Sequence, residues 1–129
     1  MSIPLNFFDD PEEAPRPPDE VRITEVRVDP LPDGRRVVVT VKLTPFLRKP
    51  DFDVTILRDG NEERSLSVVG AMQPEVQLTM HLPAASTGSY VARVDLLRPR
   101  SADDASRALR GLHAGGVQQS EIVAFEIVP

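Results

Sequence analysis

Two histidines, His81 and His113, are the only imidazole bases in this 129-residue chain, and neither is accompanied by a G-x-S-x-G nucleophile elbow. His81 falls on the polar side of an alternating run, and His113 falls in a connection next to Gly115-Gly116. Cysteine is absent, which excludes thiolate nucleophiles, zinc–thiolate sites, iron–sulfur clusters and disulfides together. Carboxylates occur in close pairs: Asp9-Asp10, Glu12-Glu13, Asp51 with Asp53, Glu62-Glu63 and Asp103-Asp104. A calcium site needs several oxygens converging from one tight loop, with a glycine to let it turn. No pair supplies that alone; Asp51 and Asp53 come nearest. P-loop and dinucleotide fingerprints are also missing. The expectation is a protein that is not an enzyme and that carries no metal and no cofactor.

The elements available to position a site are strands. Apolar residues alternate with polar ones in seven runs, the period of a half-buried strand. The first holds Val21, Ile23, Val26 and Val28, which share a face only if the phase slips near Thr24-Glu25, as a bulge would allow. Val37, Val39, Val41 and Leu43 form the second run, and Phe52, Val54 and Ile56 the third. Leu66 and Val68 make a short fourth, and Val76, Leu78, Met80 and Leu82 a regular fifth. Tyr90, Ala92, Val94 and Leu96 form the sixth, and Val123, Phe125 and Ile127 the last. Beyond residue 20 the prolines fall between runs or at the terminus, where no ladder N–H is lost. Pro32-Asp33-Gly34 and Asp59-Gly60-Asn61 have the chemistry of tight turns. Seven short antiparallel strands bury their apolar faces most simply as two packed sheets.

Ser86-Thr87-Gly88-Ser89-Tyr90-Val91-Ala92 resembles the D-x-G-x-Y-x-C motif of the immunoglobulin-like superfamily. The resemblance implies an immunoglobulin-like or fibronectin-III-like all-β sandwich over residues 21–129, of a disulfide-free, bacterial kind. It implies that Tyr90 is the corner tyrosine and that Ala92 stands at the cysteine position. Ser86 replaces the usual acid, and the central tryptophan is missing. In that lettering the runs become strands A to G.

Two segments depart from a plain sandwich. The stretch from Arg98 to Ser120 becomes a long F–G arm where hairpin loops ordinarily have two to five residues. Ser101-Ala102-Asp103-Asp104 reads as a helix start, and Ala105, Ala108, Leu109 and Leu112 recur at helical spacing. Arg98, Arg100, Arg107 and Arg110 against Asp103 and Asp104 make the arm locally basic. Its apolar stripe either plugs the open end of the sandwich or docks an acidic partner. Residues 1–20 form an acidic, proline-rich tail, disordered or extended, with six acids against Arg16 and an apolar patch that includes Phe7 and Phe8.

The whole chain has a net charge of −5, which the tail alone accounts for, so the body is neutral and gives no ground for nucleic-acid binding. With Tyr90 and Ala92 inward, Val91, Arg93 and Leu97 point outward beside Ile122, an apolar patch that a two-layer core does not need. The expected function is therefore a non-catalytic protein-interaction or assembly module, including self-association as a homodimer. Its candidate contacts are Phe7, Phe8, Val91, Arg93, Leu97, Arg98, Arg100, Arg107, Leu109, Arg110, Leu112 and Ile122. The alternative is a cell-surface or carbohydrate-associated domain. No apolar run is long enough for a membrane span and residues 1–10 lack a basic leader, so the expectation is a cytoplasmic protein without membrane contact.

Overall fold

A computed structural model describes residues 14–82, 87–98 and 116–128. They form seven strands: β1 (Ile23–Pro30), β2 (Arg36–Leu43), β3 (Phe52–Arg58), β4 (Asn61–Val68), β5 (Glu75–His81), β6 (Gly88–Leu97) and β7 (Val117–Ile127). All pair antiparallel, in a three-stranded sheet ordered β1-β2-β5 and a four-stranded sheet ordered β4-β3-β6-β7. The inward residues of the two sheets make one core. Val37, Val39 and Val41 of β2 are buried, as are Phe52, Val54 and Ile56 of β3 and Ala92 and Val94 of β6. The β-branched residues that favour strands are thus also the ones that fill the layer.

Local chemistry fixes the register. The phase slip at the start of β1 is a register shift between Ile23 and Glu25, where Thr24 leaves the ladder and its hydroxyl donates to Lys42 O at 3.2 Å. Asp59 and Gly60 have φ of 52° and 78°, so β3 and β4 are joined by a two-residue turn whose twist matches the strands. Between β1 and β2, Gly34 N–H closes a turn onto Leu31 O at 3.1 Å.

In that turn Asp33 accepts from the N–H groups of Arg35 and Arg36 at 2.9 and 3.1 Å and from the Arg36 side chain at 2.7 Å. The Arg35 N–H first, and then the Arg36 side chain, lower the Asp33 pKa to about 2. Because the folded pKa lies below the unfolded one, this contribution is complete above the ordinary carboxylate range and is lost as pH falls toward about 2. A carboxyl titration of Asp33 by NMR should centre there, and Asp33→Asn should remove that part of the acid dependence of stability.

The two outer faces differ. On the three-stranded sheet Lys42 bridges Glu25 and Glu75 on the neighbouring strands at 3.5 and 3.6 Å, and Arg27 lies 3.3 Å from Asp29 along β1. Beneath this layer Thr40 is fully buried and its hydroxyl has no hydrogen-bond partner among the described residues. An unsatisfied buried hydroxyl is costly, so Thr40→Val should raise stability by about 1 kcal/mol in urea unfolding. The four-stranded sheet instead presents Val91, Leu97 and Ile122 beside hydroxyl groups, Asp53 and the Arg93–Asp95 pair.

The structure corrects the expected arm. Val117 to Ser120 are strand: Val117, Gln119 and Ser120 pair with β6, Gln118 stands at a register shift between them, and Arg98 N–H donates to Gly116 O at 2.9 Å. The physical reason is that the two glutamines, which read as loop residues, have side chains that bond backbone elsewhere: Gln119 that of Ile23 in β1, and Gln118 that of Pro18 and Val21 just before it. Among the described residues there is no α-helix, only a 3-10 turn at Pro18–Glu20. The helix expected within residues 101–112 lies outside the described residues, and so do Arg100, Arg107, Leu109, Arg110 and Leu112. The described residues support the seven-stranded sandwich and give no support to a helix-bearing F–G connection. No helix of the described residues is long and apolar enough to cross a membrane.

Residues 14–20, expected to belong to the tail, contact the body. Arg16 makes a parallel bridge to Phe46, its N–H donating to Pro45 O and its C=O accepting from Leu47 N–H, both at 2.9 Å.

Candidate functional site

Strand order brings four parts of the chain to one end of the sandwich. They are residues 14–22, the β2–β3 loop (44–51), the β4–β5 connection (69–74) and the two ends of the β6–β7 connection. The Phe52↔Leu96 register carries the loop against the end of β6, where Leu97 N–H donates to Asp51 O at 2.9 Å. Asp51 also knits the loop to its neighbour: its carboxylate accepts from Gly70 N–H at 2.7 Å, while Ala71 N–H donates to Pro50 O at 2.9 Å. The nearest calcium candidate therefore serves to hold two loops together. Among the described residues no three His, Cys, Asp or Glu side chains converge as metal donors.

These loops bound a cleft of about 150 Å³, walled by Pro18, Pro50, Asp51, Leu96 and Leu97 and rimmed by Arg48, Lys49 and Arg98. The three cations are exposed, and none of their side chains has a hydrogen-bond or ion-pair partner among the described residues. Small-molecule sites usually enclose about 300–1,000 Å³, so this cleft suits a side chain or a carboxylate group better than a metabolite. Beside it the knitted loops expose Leu47, Val69 and Met72, at 66%, 68% and 74% of full accessibility. A single exposed apolar side chain needs no explanation, but three on two hydrogen-bonded loops concentrate apolar surface at this end.

The expected outer-face contacts lie on the four-stranded sheet. Arg93 stands opposite Ile122, and Val91 is flanked by Leu57 and Ala124. Ile122 is 65% exposed, whereas Val91, Arg93 and Leu97 are half-buried. Arg93 is held by Asp95 at 3.0 Å, and Asp95 also accepts from the Ser120 hydroxyl at 2.5 Å. An acidic partner would have to compete with that carboxylate. The apolar part of the face is thus available and its cation is engaged. Arg98 joins the cleft at the end; Phe7 and Phe8 lie outside the described residues.

Two glutamines missed in the sequence close the flank between the sheets. Gln119 meets the Ile23 peptide groups with both amide atoms: Oε1 accepts from Ile23 N–H at 2.7 Å and Nε2 donates to Ile23 O at 3.1 Å. Gln118 Nε2 donates to Val21 O at 2.8 Å and Pro18 O at 3.1 Å. Its neighbour Pro18 is a wall of the cleft, so this clamp also places the cleft. The signal that could have revealed it is the adjacent pair of amides directly before the apolar alternation of β7.

At the opposite end Tyr90 is buried, stacked on Phe125 at 5.5 Å, and Arg58 lies over its ring at 5.4 Å. His81 also lies at that end, on an exposed position of β5, and His113 is outside the described residues. Compared with known proteins, the chain matches no family model and no curated protein sequence.

Proposed function

We propose that this protein is a non-catalytic interaction module that binds a protein partner with the cleft-bearing end of its sandwich. One observation carries the reading: Arg48, Lys49 and Arg98, whose side chains have no partner among the described residues, lie at the same end of the sandwich as the exposed Leu47, Val69 and Met72. Apolar area supplies most association energy, while rim charges steer and select. The Ile122 side of the four-stranded sheet is a second contact area, suited to self-association. We also assign the sandwich to the immunoglobulin-like class. Support comes from β1, β2 and β5 sharing one sheet and β3, β6 and β7 the other, from the buried Tyr90 at the start of β6, and from Ala92 in the core. Nothing favours the carbohydrate-associated alternative: Phe52, Tyr90 and Phe125 are buried, which leaves no ring among these three to stack on a sugar.

The test is affinity capture from the protein's own cell lysate on immobilised full chain, comparing wild type with Arg48→Glu/Lys49→Glu. A protein retained by wild type and released by the variant, with the variant's thermal unfolding unchanged, is the expected result. Identical capture by both proteins would move the binding surface elsewhere.

A further inference from the structure

We infer that the cationic cleft is occupied by the chain's own acidic N-terminal segment, Ile3–Glu13, in the same molecule. This deepens the reading of that end as a binding surface, because an outside partner would have to displace the segment. Four observations point to it. Arg48, Lys49 and Arg98 rim the cleft without partners among the described residues. The segment carries Asp9, Asp10, Glu12 and Glu13 and no Arg or Lys, so the two are complementary in charge. It is tethered at the right end of the molecule, because Arg16 is bound to Pro45 and Leu47 and Pro18 forms a cleft wall. A cleft of about 150 Å³ matches a carboxylate side chain rather than a free metabolite.

Reach is not limiting. The parallel Arg16–Phe46 bridge sends the chain upstream of Arg16 back along the β2–β3 loop, and each further residue extends it by about 3.3–3.6 Å. To come level with Pro18 the segment has to turn back past Arg16, and the eleven residues from Ile3 to Glu13 are more than enough chain for that. A short tether holds the acids at an effective concentration in the millimolar range, so attractions too weak to act between separate molecules still populate the docked state. An outside ligand for the same cleft then binds with an affinity lowered by the fraction of molecules that are self-occupied.

Because the chain has no cysteine, Asn6→Cys gives a single position for a nitroxide label on the full-length protein. In NMR the label should broaden the amides of Arg48, Lys49 and Arg98 more than that of Gly60 at the far turn. The broadening should fall several-fold in Asp9→Asn/Asp10→Asn/Glu12→Gln/Glu13→Gln, which keeps the tether length, and in Arg48→Glu/Lys49→Glu. It should also weaken with added salt, as exposed charge pairs do. Broadening unchanged by charge neutralisation, centred on Ile122, or growing with protein concentration, as for a second copy's segment, would overturn the inference. Failure of the partner reading would appear only in the capture experiment and would leave this result unaltered.

Discussion

Ile56→Ala should lower the stability of the chain by about 2–5 kcal/mol, whereas Ile122→Ala, the same change of side chain, should shift it by no more than about 0.5 kcal/mol. Ile56 is fully buried between the sheets and Ile122 is 65% exposed on the outer face of the same sheet. Removing three carbons from Ile56 leaves a cavity in the buried layer, and its cross-strand partner Ala92 is too small to fill it. Small domains are stable by only about 5–15 kcal/mol, so the first variant should lose a large share of its folded margin. Urea unfolding at several protein concentrations gives a second result from the same pair. If Ile122→Ala destabilises the protein only at high concentration, Ile122 is buried between copies, and self-association is the function of that face. If it destabilises equally at all concentrations, the assignment of inward and outward residues on β7 is wrong.

Gln119→Ala should cost about 2 kcal/mol, far more than loss of a surface glutamine. The truncation leaves both the N–H and the C=O of Ile23 without their partner at the part-buried seam between β1 and β7. Gln119→Glu separates the two roles. A carboxylate still accepts from Ile23 N–H but cannot donate to Ile23 O, and it stands beside Glu121, whose carboxylate now accepts from Gln119 Nε2 at 2.9 Å. This variant should therefore regain stability as pH falls and its new carboxyl protonates. Hydrogen exchange at Ile23 should quicken in both variants, while amides of β3 keep their protection. Unchanged exchange at Ile23 would mean that the clamp is not needed to seat the first strand.

The strands are legible in the sequence because a half-buried strand must alternate, and here it does. Val37 to Leu43 and Tyr90 to Leu96 need no tertiary information to be placed. The bulge at Thr24 is legible for the same reason: Ile23 and Val26 cannot share a face without it. The first residues of β7 are not legible, because Gln118 and Gln119 make edge contacts with side-chain amides that imitate a peptide group, and alternation of apolar residues says nothing about that. The regular look of β5 also overstates its burial. As an edge strand it covers Met80 fully and leaves Val76 and Leu78 half-buried.

The candidate site is less legible than the fold. The strand count places the β2–β3 loop and the β6–β7 connection at one end, and Arg98 is accordingly among the expected contacts. Arg48 and Lys49 are not, since they meet Arg98 only through the pairing of Phe52 with Leu96 and the Leu97–Asp51 hydrogen bond. The exposed Leu47, Val69 and Met72 lie in connections that have no period to read. Conversely, Arg93 looks like a free outward cation in the sequence and is engaged by Asp95 in the structure. Local charge counting cannot see a partner two residues away on the same strand face unless the sheet holds both in register.

Binding of a protein at the cleft-bearing end of the sandwich should be visible in a crude mixture. Its most direct test is sedimentation of fluorescently labelled full chain added to a clarified lysate of its own cells. The expected result is a boundary well above that of the 14.2 kDa chain, competed away by excess unlabelled wild type but not by Arg48→Glu/Lys49→Glu. A labelled chain that sediments in lysate as it does in buffer, or a boundary that both competitors abolish equally, would contradict it.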